Sequence, residues 1–195
     1  MEKIGLFFGS FNPVHKGHIN IAKYVLSEQK LNKVLFILSP LNPFKIESKN
    51  ILLEVNHRYE ILKLATKKYK NMIPSDIEFG MKKPNYTFDT IAKLENIYPK
   101  KNFYLIMGSD NFKYFNKWKD YEKILTKYKL LIYPRYGEEK NSFLIKKYNS
   151  VTFLKGSFFD ISSDKIRRKI KSGDSLEKYI SKDTITYIKN NNLYI

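Results

Sequence analysis

A chain of 195 residues with 43% hydrophobic content is long enough to bury about 70% of its unfolded surface, which excludes a disordered chain and predicts a single domain over residues 1–195. It has no cysteine, so disulfides and thiolate metal centres are excluded, and the lack of any membrane-length apolar run or signal-peptide pattern predicts a soluble, cytoplasmic protein. The formal net charge of +17 draws anions nonspecifically, but the lysines run evenly along the chain beside abundant Asn, Ile and Tyr, as in A+T-rich coding, so specific nucleic-acid binding is not expected.

Apolar runs bounded by turn residues predict strands at 4–8, 33–39, 73–78, 102–107, 129–133 and 151–155. Helical periodicity predicts helices at 15–29, 56–69, 87–97, 110–115, 120–126, 139–148, 164–172 and 182–190. Strand and helix in alternation argue for an α/β chain with a three-layer, Rossmann-like fold and a mainly parallel sheet. Ligands of such sheets sit beyond the carboxyl ends of the strands, where the strand order reverses.

The first strand leads into Gly9-Ser10-Phe11-Asn12-Pro13-Val14-His15-Lys16-Gly17-His18. Gly9 admits a ligand close to the backbone, Ser10 adds a hydroxyl, and Pro13 stiffens the turn before a helix whose start attracts anions. His15 and His18, three apart, share one helix face with Gly17 keeping it low. Two imidazoles beside a polyphosphate suit nucleotidyl transfer, whereas a cap or a metal pair is the alternative reading of the same spacing.

After the second strand, Ser39-Pro40-Leu41-Asn42-Pro43-Phe44-Lys45 is a stiff loop that can hold Lys45 over the site. At the next helix start, His57 reads as a cap or surface residue and Arg58 as a brace for that loop. In Lys83-Pro84-Asn85-Tyr86-Thr87-Phe88-Asp89-Thr90, Asn85 or Thr87 is a candidate N-cap. Gly108-Ser109-Asp110 follows the fourth strand, where a carboxylate can accept from ribose hydroxyls. Trp118, the one tryptophan, is either core or a stacking surface for a flat ring. Arg135 stands at the carboxyl end of the fifth strand. Finally Ile161-Ser162-Ser163-Asp164-Lys165-Ile166-Arg167 puts two serines and an arginine at a helix start, either as a plain cap or as a second anion site.

These strings resemble a known family. His15-Lys16-Gly17-His18 is similar to the His-x-Gly-His signature of the nucleotidyltransferase superfamily. Tyr86-Thr87-Phe88-Asp89-Thr90, Gly108-Ser109-Asp110, Lys117-Trp118 and Ile161-Ser162-Ser163 to Arg167 resemble elements of the nicotinate-nucleotide adenylyltransferases, as does the ending 187–194. The resemblance implies transfer of AMP from ATP to nicotinate mononucleotide, giving deamido-NAD and pyrophosphate in NAD biosynthesis, with His15 and His18 catalytic and Mg2+ arriving with ATP. It implies ATP contacts at Gly9, Ser10, Phe11, His15, His18, Gly108, Asp110, Ile161, Ser163 and Arg167. It implies mononucleotide contacts at Ser10, Lys45, Tyr86, Thr87, Trp118 and Arg135, and no protein-bound metal. Gly-Ser-Phe-Asn-Pro also resembles the form of dual-specificity enzymes, so nicotinamide mononucleotide stays open as an acceptor. A nucleotide-sensing or RNA-binding protein without turnover is the alternative from another class. Self-association into a homo-oligomer is left open.

Overall fold

The computed structural model describes residues 1–43, 52–135, 149–155 and 161–195. Lys45 and the helix expected at 139–148 lie outside them. The strands are β1 (Lys3–Gly9), β2 (Lys33–Leu38), β3 (Met72–Ser75), β4 (Asn102–Gly108), β5 (Lys129–Tyr133) and β6 (Val151–Phe153). They form one sheet in the order β3-β2-β1-β4-β5-β6, and every pair is parallel. The described helices are α1 (Lys16–Glu28), α2 (Val55–Thr66), α3 (Thr87–Ile97), α4 (Ser109–Phe112), α5 (Tyr121–Lys127), α6 (Ser163–Lys171) and α7 (Lys182–Asn190), with a 3-10 turn at Phe115–Lys117. Among the described residues no helix is long and apolar enough to cross a membrane.

The central strands are continuous apolar runs because helices cover both faces of the sheet. Successive side chains alternate between two cores. Phe7, Val34, Phe36, Leu38, Ile106 and Leu131 meet Ile19, Ala22 and Val25 of α1, Ile61 and Leu62 of α2, and Ile188 of α7. Ile4, Leu6, Leu35, Ile37, Leu105, Met107 and Leu130 meet Ile91 and Leu94 of α3 with Ile124 and Leu125 of α5. This period of two builds the expected three layers. Both edge strands are shorter than expected. β3 stops at Ser75 because the chain then turns, with Ile77 N–H on Ser75 Oγ and Phe79 N–H on the Asp76 carbonyl. Glu78 therefore stands in a turn rather than in a strand.

The sheet order reverses between β1 and β4. Phe7 pairs with Ile106 and Gly9 with Leu38, while Gly108 pairs with Tyr133, so the segments after β1, β2, β4 and β5 emerge along one edge. Every candidate site string that the structure describes there converges on that edge.

Candidate active site

The loop after β1 is held in an unusual shape by packing. Phe11 adopts φ +41, and the Asn12–Pro13 peptide is cis. The Phe11 ring sits edge-on to Phe7 at 5.8 Å and to His18 at 5.1 Å, which both anchors the left-handed backbone and walls one side of His18. His15 is the N-cap of α1 in extended conformation (φ −146, ψ 169), so the helix begins at Lys16, one residue after the expected start. The backbone N–H of His15 donates to His18 Nδ1 at 3.2 Å, and the two rings stack with centroids 3.7 Å apart.

Glycine at position 17 is required by that stack. A Cβ there would lie 2.9 Å from His15 Nδ1. Both rings are buried, and His15 is only 4% exposed. Its Nδ1 makes no hydrogen bond among the described residues. Burial, helped by the nearby Arg135 charge, lowers the His15 pKa to about 3, so the free protein holds this imidazole neutral. The start of α1 offers fewer open donors than expected: the Lys16 N–H is taken by the Tyr179 carbonyl and the His18 N–H by that of His15.

Arg58 holds the loops in place. Its guanidinium, 2% exposed, donates to the carbonyls of Leu53 (2.8 Å), Ser10 (2.8 Å), Ser39 (2.9 Å) and Pro40 (3.2 Å). One side chain thus ties the segment after β1 to that after β2, as expected of a brace. Burial lowers its pKa to about 10, still well charged at neutral pH. His57 does not cap α2; its Nδ1 lies 3.0 Å from Tyr187 Oη on α7.

In the 161–167 string the cap reading holds for Ser162 alone. Ser162 is the N-cap, accepting from the Lys165 N–H at 3.1 Å. Ser163 Oγ instead donates to the Pro13 carbonyl at 2.9 Å, and Arg167 Nη1 to that of Asn12 at 2.8 Å. The start of α6 thereby clasps the histidine loop. Ile161 is buried and lies 3.7 Å from where a Cβ on Gly17 would be.

A cavity of about 360 Å3 lies between the ends of β1 and β4, lined among others by Ser10, Asn85, Tyr86, Thr87, Gly108 and Trp118; neither histidine lines it, but Phe7, edge-on to His18 at 5.8 Å, does. Trp118 is half-buried, tilted against Phe115 at 5.1 Å with its remaining surface on the cavity. It thus packs against the core and also borders the cavity. Neither Asn85 nor Thr87 caps α3, whose N-cap is Tyr86 without a side-chain bond. Asn85 Nδ2 donates instead to the Glu78 carbonyl at 3.3 Å, and its N–H to the Leu41 carbonyl at 3.1 Å, which fastens this wall to the segment after β2.

Arg135 is not among the residues lining that cavity. Its N–H donates to Ser109 Oγ at 2.8 Å, and Nε lies 3.6 Å from Asp110 Oδ2, so its guanidinium joins Asp110 near His15. Asp110 folds back over Gly108, where a Cβ would meet its Oδ1 at 2.2 Å. Sequence reasoning missed Glu78 and Lys119, both of which line the cavity. Lys119 pairs with Asp89 at 2.8 Å and lies over the Tyr86 ring at 5.2 Å. A lysine beside Trp118 was the only available signal for it. No group of three His, Asp or Glu side chains that could hold a metal occurs among the described residues.

Residues 6–169 match the model of the cytidylyltransferase-like family. The chain is 37% identical over 98% of both chains to a Flavobacterium johnsoniae protein named "Probable nicotinate-nucleotide adenylyltransferase". It matches the protein of the same name from Flavobacterium psychrophilum equally well, again at 37% and 98%. In fold it is similar to the Plasmodium falciparum nicotinic acid mononucleotide adenylyltransferase complexed with NaAD, with a TM-score of 0.83 over 100% of this chain and 98% of that one, at 21% identity. By its match to the family model and to these full-length relatives, the chain belongs to the cytidylyltransferase-like family, in its nicotinate-nucleotide adenylyltransferase branch.

Proposed function

We infer that the protein transfers AMP from ATP to nicotinate mononucleotide, forming deamido-NAD and pyrophosphate. The observation that carries this reading is the stacked His15–His18 pair packed on Phe7, which itself lines the cavity walled by Tyr86, Thr87 and Trp118 at the point where the strand order reverses. Relatives that bear the name of this activity match the chain end to end.

In this scheme an oxygen of the mononucleotide phosphate attacks the α-phosphorus of ATP in line. The bond from that phosphorus to the bridging oxygen breaks, and pyrophosphate leaves. No covalent enzyme intermediate is needed, so the protein supplies position and charge stabilisation. His18, its Nδ1 occupied, carries the proton of its neutral form on Nε2 and offers it to the reacting phosphate. His15 flanks the same oxygens. Gly9, Ser10 and Phe11 shape the cradle, while Ser163 and Arg167 exchange their bonds to Pro13 and Asn12 for the leaving phosphates. Gly108 and Asp110 face the ATP ribose, and Ile161 packs beside it.

On the acceptor side, Thr87 and Trp118 hold the pyridine, with Tyr86 beside them and Lys45 on the attacking phosphate. Arg135, by its position near His15, serves the phosphates rather than the pyridine. Magnesium comes with ATP as part of the substrate, where it neutralises phosphate charge; the described residues offer it no cage of their own.

Labelled ATP tests the reaction. Label on the α-phosphate is expected in deamido-NAD, with label on the γ-phosphate in pyrophosphate. Label retained on the protein as an adenylyl group would contradict direct transfer.

A further inference from the structure

Two walls of the cavity are joined at its rim by an ion pair that the scheme above leaves unused. Lys119 follows Trp118 and lines the cavity with it. Its Nζ donates to Asp89 Oδ1 at 2.9 Å and Oδ2 at 2.8 Å, in the first turn of α3 and two residues beyond Thr87. The same ammonium lies over the ring of Tyr86, itself a lining residue, at 5.2 Å. Tyr86 is the N-cap of α3 and supplies no side-chain bond, so the positive end of that helix and the ammonium meet at one place. The pair is open to water, with side chains 44% and 40% exposed, and such a pair exchanges partners at little cost. The two carboxylate oxygens engage two of the three ammonium hydrogens and leave the third for another acceptor.

Resting on the reading of this cavity as the pyridine site, we propose that Lys119 is a specificity-determining residue: its ammonium meets the carboxylate of the nicotinate ring at the rim, and Asp89 is the protein's own competitor for it. A pyridine laid on Trp118 lies one residue from Lys119, whose flexible four-carbon stem lets the ammonium turn from Asp89 to the ring edge without movement of the backbone. Lys117, the other lysine of the lining, has its ammonium over Tyr114, which is half exposed and does not line the cavity. A carboxamide carries no charge to draw Lys119 from Asp89, so the attraction favours the acid alone.

Competition for one ammonium separates this role from a structural one, because a bridge that only tied two walls together would be lost alike from either end. The readout is the Kd of nicotinate mononucleotide and of nicotinamide mononucleotide, each titrated against the fluorescence of Trp118, the sole tryptophan, in the wild-type protein and two variants. Lys119→Met is expected to lower the preference for the nicotinate form, read as the ratio of the two Kd values, by about fivefold or more. Asp89→Asn frees the ammonium and is expected to raise the same ratio. A ratio unchanged in Lys119→Met, or one that moves in the same direction in both variants, would overturn the proposal. Should Lys119→Met fail to fold, Asp89→Asn decides alone, and a ratio that does not rise overturns it. Folded wild-type protein that binds neither mononucleotide would overturn the underlying reading of the site instead.

Discussion

The backbone N–H of His15 donates to Nδ1 of His18 at 3.2 Å, and through this one bond the helix cap sets the tautomer of its neighbour. With Nδ1 occupied as an acceptor, neutral His18 must carry its hydrogen on Nε2. That hydrogen is the donor aimed, in this scheme, at the charge that develops on the transferring phosphate. His18→Ala is expected to lower kcat by roughly a hundredfold or more with the fold retained. Near-normal turnover in the folded variant would remove His18 from the chemistry.

Gly17→Ala isolates the ring stack from helix stability. Alanine is the better helix former, yet its Cβ would sit 2.9 Å from His15 Nδ1. The ring must move, so kcat is expected to fall by about tenfold or more, with little change in melting temperature. Unchanged turnover would show that His15 need not hold its observed place.

The buried His15 makes stability depend on pH. Its folded pKa, about 3, lies below the ordinary value of 6.5, so between these limits the unfolded chain binds the proton and the folded chain does not. The stability present above pH 6.5 is therefore lost as pH falls, by about 2 kcal/mol at pH 5 from this group. Denaturant unfolding of the wild type and of His15→Asn at pH 5 and 7.5 checks it: the variant should lose less on acidification. Equal losses would contradict the assignment.

Arg58→Lys tests the brace between loops. A lysine keeps the charge but cannot span four carbonyls with a planar fork. Destabilisation of about 2 kcal/mol or more is expected, with the KM of both substrates raised because both loops loosen. A stable variant with normal KM values would show that Arg58 is dispensable.

Trp118 is the chain's sole tryptophan, so its fluorescence reports one place. Nicotinate mononucleotide should quench it, and Trp118→Ala should raise the KM of the mononucleotide about tenfold or more while sparing that of ATP. An unchanged mononucleotide KM would return Trp118 to the core beside Phe115.

Much of the fold was legible because burial on both faces writes each central strand as an unbroken apolar run. The edge strands were not, since short runs such as 73–78 carry no mark of where pairing stops, and turn bonds at Ser75 and Asp76 end β3 early. Within the site, His15, Gly17 and His18 stood out because their spacing is local. Arg58 was visible only as a brace for one loop, since its four carbonyl partners come from three separate segments. The sides taken by Arg135 and Glu78 depend on backbone turns that no local pattern encodes. Asn85 illustrates the same limit: a good capping residue, it was drawn off to bond Glu78 and Leu41.

The most direct test of the central claim is pyrophosphate release from ATP and magnesium with nicotinate mononucleotide and nicotinamide mononucleotide in parallel. Rapid release is expected with the nicotinate form, with deamido-NAD as the co-product, and a clear preference over the amide. Folded protein that releases no pyrophosphate with the nicotinate form would contradict it.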